Sequence, residues 1–192
     1  MKFYFDITLL PSAEIPLSFL WEKVYQQVHL ALVEMKGANG NSDIAVSFPE
    51  YDGKSFPLGH KLRLFASTKS QLQQLDIGKW LNRLADYSHC TTIREVPQSV
   101  SEFARFNRVR FDTNIERLAR RRVKRKGESF EQAMKHFDGF KVQESTLPFI
   151  NMTSLSKNER FRLFIEKELV SQAAVGEFTC YGLSKVATVP WF

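Results

Sequence analysis

With 192 residues, 43% hydrophobic content and seventeen phenylalanines, the chain can bury one substantial core or two small ones, which excludes a disordered basic tail. No apolar run approaches the roughly 18 residues needed to span a bilayer, and "MKFYFDITLL" lacks the apolar stretch and small-residue cleavage site of a signal peptide. The formal charge of +6 is concentrated: Phe103 to Lys126 holds ten Lys and Arg against two acidic residues, leaving seventeen basic and nineteen acidic residues elsewhere. Such focusing points to a polyanion site.

In "KFYFDITLL" (2–10), Phe3, Phe5, Ile7 and Leu9 alternate, the period-two signature of a strand. A helix is predicted over 16–35, with Leu20, Val24, Val28, Ala31 and Met35 on one stripe and "KGANGNSD" ending it. Strands follow at 43–50 and 60–67, across the loop "YDGKSFPLG", then a second helix at 68–87 and a strand at 89–96. The order β-α-β-β-α-β is the ferredoxin-like pattern. Residues 1–97 are expected to form this (RRM-like) domain, with Pro97 and "QSVSE" as a linker.

Residues 98–192 are expected to form a second, α+β domain. An extended "RFNRVRF" leads into a basic helix capped by Asn114 and stopped at Gly127, and "SFEQAMKHFDG" reads as another short helix. "LPFINMTS" and "FRLFIEKEL" pair as a hairpin across "LSKNE", "EFTCYGLSK" makes a late strand, and the terminal "PWF" is apolar enough to be tucked in.

Seven of the ten positions from Arg117 to Lys126 are Arg or Lys. On a helix Arg117, Arg121, Lys124 and Arg125 share a face, because residues three and four apart are neighbours. Like charges so spaced repel, and phosphate relieves the repulsion. Neither a zinc-finger spacing nor a heptad zipper accompanies the helix. Phosphate contact by itself does not choose between DNA and RNA.

RNA cleavage without metal needs a base near the 2′-hydroxyl, and histidine titrates in the useful range. Of His29, His60, His89 and His136, His29 sits one step from core residue Val28, on a side shared with Tyr25 and Leu32, at the rim of the buried stripe. His60 and His89 open predicted strands, and His136 lies on a charged helix. The ordinary reading of each is a structural histidine. The chain has no GxxxxGK[ST] loop, HExxH helix, GxSxG elbow or paired Cys/His set, and its carboxylates form no DxD-like cluster. Cys90 and Cys180 make no CxxC pair and are expected as buried thiols in a reducing cytosol.

The stretches "HLALV", "AVSFPEYD", "NIERLARRR", "LPFINMTSLS", "FRLFI" and above all "EFTCYGLSKVATVPWF" change this reading. From Phe3 to Phe192 the chain resembles the CRISPR-associated endoribonucleases of subtype I-F, which process a repeat transcript into guide RNAs. The resemblance implies a ferredoxin-like domain followed by a domain with an arginine-rich helix. It implies that a CRISPR repeat RNA hairpin is bound, cut at its 3′ base and retained. It carries the active-site histidine onto His29, the serine onto Ser154, a neighbouring hydroxyl onto Ser156 and a tyrosine onto Tyr181. His29 would then take the 2′-hydroxyl proton, Ser154 would hold that nucleophile and Tyr181 would orient the imidazole. The products would be a 2′,3′-cyclic phosphate and a 5′-hydroxyl, with no metal or other cofactor.

The same resemblance carries base stacking onto Phe161 and groove contacts onto Arg120, Arg121, Lys124 and Arg125. Lys124 replaces a family arginine and keeps the charge without the planar fork. In the linker the family's base-reading arginine and glutamine correspond to Arg108 and Arg110. Arginine suits guanine O6/N7, whereas glutamine suits adenine N6/N7, so Arg110 is expected to read or clamp something other than adenine. The implied partners are the repeat hairpin and the other subunits of a type I-F surveillance complex. The chain is expected to be cytoplasmic, free of membranes and monomeric when free. The rival readings are a non-catalytic hairpin-binding subunit and a basic DNA-binding module.

Overall fold

Alternating apolar residues build β1 (Phe3–Leu9), but both of its faces are covered, since Tyr4 and Asp6 are buried along with Phe5, Ile7 and Leu9. A computed structural model describes residues 1–52, 58–111, 115–138 and 145–192. By its contacts the chain divides into two units, Met1–Arg108 with Pro148–Phe192, and Val109–Leu147.

In the first unit, α1 (Leu17–Glu34) buries Leu20, Trp21, Val24, Tyr25, Val28, Ala31 and Leu32, the stripe its 3.6-residue period requires. Three more strands, β2 (Ala45–Ser47), β3 (Lys61–Ala66) and β4 (Ser88–Cys90), join β1 in the order β2-β3-β1-β4, all antiparallel. With the first and third strands central, this is the ferredoxin-like arrangement.

The helix predicted over 68–87 is broken. A capping box between Thr68 and Gln71 starts α2 (Lys69–Leu75). Asp76 then turns left-handed at φ 42°, and α3 (Ile77–Leu81) and a 3-10 segment (Asn82–Tyr87) follow. A short polar side chain tolerates that conformation, and the break lets Leu72, Leu75, Ile77 and Leu81 all be buried. The strand predicted over 89–96 is likewise interrupted. At Thr91 the hydroxyl accepts the Asp6 N–H at 3.0 Å, and pairing with β1 resumes in β5 (Arg94–Glu95).

The second sheet contains β6 (Phe103–Val109), β7 (Phe149–Ser154), β8 (Glu159–Val170) and β9 (Val189–Pro190), in the order β7-β8-β6-β9. Its buried Ala104, Phe106, Ile150, Met152, Leu163 and Ile165 join the core of the first sheet. The strands of the first sheet precede Pro97 and those of the second follow it.

The late strand expected at "EFTCYGLSK" is not formed. Phe178 makes one isolated bridge to Ser42, and the chain then turns. Gly182 N–H donates to the Thr179 carbonyl at 2.7 Å, and Gly182 sits at φ 70°, which a strand cannot use. The terminal "PWF" is anchored instead. Arg63 forks onto Asp6 at 2.6 and 3.1 Å and donates to the Phe192 carbonyl at 2.8 Å, while its guanidinium stacks on Tyr4 and Phe192. Phe192 itself remains 38% exposed.

In the second unit, α4 (Ile115–Lys126) and α5 (Phe130–Lys135) pack together over buried Ala119 and Ala133. Gly127, at φ 69°, donates to the Val123 carbonyl and ends α4; a Ser129–Gln132 capping box starts α5. Asn114, the predicted cap of α4, and part of the loop "YDGKSFPLG" lie outside the described residues.

Candidate active site and nucleic-acid interface

His29 lies in the last third of α1 and is half-buried, as its place beside Val28 predicts. Its Nδ1 is 2.9 Å from the Cys180 carbonyl oxygen. A carbonyl only accepts, so Nδ1 carries the proton in the neutral ring and Nε2 keeps its lone pair. The Tyr181 ring lies parallel to the imidazole, 3° between planes and 4.2 Å between centres. One bond and one stack therefore fix both the tautomer and the plane.

The turn supplying these contacts is itself held. Tyr25, four residues before His29, donates its hydroxyl proton to the Tyr181 carbonyl at 2.8 Å, and its burial pushes the phenol far above the ordinary tyrosine value. Thr179 donates its hydroxyl to the Leu183 carbonyl, and the Val46 N–H of β2 donates to Gly182 at 2.9 Å. A methyl group on Gly182 would meet Val46 Cγ1 at 2.6 Å, so the turn presses on the strand as closely as glycine permits.

Arg108, near the end of β6, places its guanidinium 5.1 Å from the centres of both the Phe161 and Tyr181 rings. Phe161 is half-buried against the core. Burial holds the His29 imidazole below its ordinary 6.5; the carbonyl bond opposes this, and the Arg108 charge adds to the lowering. A histidine so placed is neutral, and able to accept a proton, at pH 7.

Ser154 ends β7, and its hydroxyl lies 3.3 Å from that of Ser156 in the hairpin tip. Next to it, the Thr153 N–H donates to Oε1 of Gln26 at 3.1 Å, which joins the hairpin to α1 one turn before His29. Arg160, across the hairpin, meets the buried Glu22 carboxylate at 3.2 Å. In unit 1 the structure thus brings His29, Tyr181, Arg108 and Phe161 into one stacked set, with Ser154 and Ser156 on a hairpin tied to the same helix.

The other histidines have separate surroundings. His60 accompanies Glu50, His89 is exposed in β4, and the His136 ring meets Phe137. Cys90 and Cys180 are free and only half-buried, not buried as expected. Among the described residues, no three His, Cys, Asp or Glu side chains gather as metal ligands would.

In unit 2, Arg117, Arg120, Arg121, Lys124 and Arg125 are exposed on α4, and Arg110 is exposed just before it. Arg120 pairs with Glu116 at 3.2 Å, and half-buried Arg122 pairs with Glu128. The side of α4 away from the exposed charges carries Leu118, Ala119 and Val123, which explains how so charged a helix stays folded against α5.

Sequence reasoning missed the Cys180 carbonyl, the anchoring Tyr25 hydroxyl, Gln26 and Glu22. A backbone acceptor leaves no trace in residue identity. The other three lie on the face of α1 that leads to His29, and that spacing was the available signal.

Comparison with known proteins identifies the family. A family model described as "CRISPR-associated protein (Cas_Csy4)" matches residues 4–192. Two curated proteins named "CRISPR-associated endonuclease Cas6/Csy4", from Escherichia coli (strain UTI89 / UPEC) and Pseudomonas aeruginosa (strain UCBPP-PA14), are each 38% identical over 193 residues. Both alignments cover all of this chain and all of the relative. From Tyr4 to Phe192, the chain belongs to the Cas_Csy4 family of CRISPR-associated proteins.

Proposed function

We propose that this protein is a metal-independent, sequence-specific endoribonuclease that cuts CRISPR repeat hairpins in precursor RNA and remains bound to the hairpin product. The observation that carries the reading is the fixed imidazole: Nδ1–H on the Cys180 carbonyl and the ring against Tyr181, with Nε2 left as the basic atom. Nε2 of His29 takes the 2′-hydroxyl proton, and Ser154, with Ser156 beside it, holds that hydroxyl. The 2′-oxygen attacks the adjacent phosphorus, the bond to the 5′-oxygen breaks, and the departing oxygen takes a proton from solvent. A 2′,3′-cyclic phosphate and a 5′-hydroxyl result. Tyr181 orients the imidazole through its ring face.

Recognition falls to two sets of residues. Arg108 reads a guanine at the hairpin base and Phe161 stacks on a neighbouring base. Arg117, Arg120, Arg121, Lys124 and Arg125 grip phosphates along the stem, and Arg110 clamps close to the base. These contacts lie on the hairpin and not across the break, so cutting leaves them intact. The relatives' names, with "endonuclease" in both, support the activity. The product-bound protein would then sit among the other subunits of a type I-F surveillance complex.

The test is incubation with the repeat RNA of its own locus in chelator, with an intact or a 2′-deoxy ribose before the cut. Cleavage of the first substrate alone, ending in a cyclic phosphate, is the expected result. Cutting of the deoxy substrate removes the proposed nucleophile, and a requirement for added metal removes the metal-independent route.

A further inference from the structure

β7 is the edge strand of its sheet, and its hairpin with β8 ends in the tip that carries Ser154 and Ser156. The last cross-strand pair before the tip is Ser154 opposite Glu159; the pair behind it is Thr153 opposite Arg160. Both members of that second pair are held by one helix. The edge amide of Thr153 donates to Gln26 Oε1 at 3.1 Å, and Arg160 meets the Glu22 carboxylate at 3.2 Å. Glu22, Gln26 and His29 stand at i, i+4 and i+7, one face of α1, about 10 Å from end to end.

We propose that Gln26 and Glu22 are positioning residues: together they set the height of the Ser154–Ser156 tip along α1, and hence the placement of the serine hydroxyl relative to His29. This rests on the reading of His29 and Ser154 given above. The two ties differ in weight. Arg160 is 76% exposed in its side chain, so its pair with Glu22 is partly screened by water. Glu22 keeps little exposure of its own and steers where Arg160 rests. The Gln26 bond is shorter-reaching, neutral and directional, and it satisfies an edge amide that would otherwise need water. Gln26 is therefore the principal tether.

A misplaced nucleophile slows the chemical step without weakening a grip made elsewhere. The test compares single-turnover cleavage with affinity for the uncut 2′-deoxy hairpin. Gln26→Met keeps the side-chain length and removes the acceptor; Gln26→Glu restores it. The expected result is a fall of about tenfold or more in the cleavage rate of Gln26→Met with hairpin affinity unchanged, and recovery in Gln26→Glu. A Gln26→Met rate equal to wild type, a loss confined to affinity, or a loss that Gln26→Glu does not recover overturns the proposal. If the methionine variant fails to fold, Gln26→Ser, too short to reach Thr153, carries the same expectations. His29→Ala run alongside separates the two readings. Cleavage surviving in His29→Ala refutes the catalytic assignment itself, whereas its loss together with a normal Gln26→Met rate refutes only the tether.

Discussion

The His29 imidazole and the Tyr181 ring lie face to face, 4.2 Å apart and within 3° of parallel. Tyr181 thus gives the histidine a flat surface, and the Cys180 carbonyl beside it accepts the hydrogen bond from Nδ1–H. Tyr181→Phe preserves the surface and is expected to keep most of the cleavage activity, whereas Tyr181→Ala removes it and is expected to lose activity with the hairpin still bound. His29→Ala sets the floor, with an expected loss of about 10²–10⁴-fold in the single-turnover rate. A Tyr181→Phe variant as inactive as Tyr181→Ala would transfer the role from the ring to the hydroxyl.

The pH dependence follows from the lowered His29 value. In the folded protein the ring protonates below 6.5, so it is still neutral where an unfolded histidine begins to take up a proton. Cleavage should be lost as pH falls, with the midpoint of its acid limb below the ordinary histidine value of 6.5. The same shift makes the fold lose stability as pH falls below 6.5, because the unfolded chain then binds the proton more readily. Arg108→Gln removes a positive charge that contributes to the lowering, so the acid limb of the single-turnover profile, measured with saturating hairpin, moves to higher pH.

Gly182→Ala places a methyl group 2.6 Å from Val46 Cγ1 and 3.1 Å from its backbone nitrogen, at a φ of 70°. Strain of this kind costs about 1–3 kcal/mol, to be read as a lowered denaturation midpoint. The turn must shift away from β2, taking the Cys180 carbonyl and Tyr181 ring with it. Cleavage by the folded fraction should fall further than hairpin binding.

Binding through α4 should be strongly salt-dependent. If about six basic side chains meet phosphate, the log–log slope of affinity against salt is roughly −4 to −5. Replacing Arg121 or Arg125 by alanine should flatten it by about one each. A slope near zero in a filter-binding or polarisation titration would leave the exposed charges of α4 without their proposed partner.

Arg63 is 7% exposed and grips an equally buried Asp6. Arg63→Met leaves that buried carboxylate only the half-exposed Arg94, 3.7 Å away, and releases Phe192, an expected cost of up to about 3–5 kcal/mol in a denaturation experiment.

The elements with strong periodicity were readable in advance. The α1 stripe, the Phe3–Leu9 strand and the β7–β8 hairpin each carry a repeated apolar pattern that local geometry must satisfy. The break at Asp76 was not readable, because an aspartate inside a helical pattern is ordinary until tertiary burial of Ile77 and Leu81 demands a new direction. The strand expected at "EFTCYGLSK" fails for a similar cause: its β-prone residues favour a strand locally, but Gly182 takes a positive φ where the turn presses on Val46. For the site, residue type and resemblance nominated His29, Ser154 and Tyr181 one by one. They could not supply the parallel stack, the backbone acceptor or the Gln26 tether, since each arises between segments more than a hundred residues apart in the chain.

That the imidazole leans on a peptide oxygen has a genetic corollary. No codon change at position 180 short of one that bends the turn can delete that acceptor, because every amino acid brings the same oxygen. The orientation of the imidazole is therefore buffered against drift at its own partner, and the vulnerable letters of the gene lie instead at Gly182, Thr179 and Tyr25, which hold the loop in its shape.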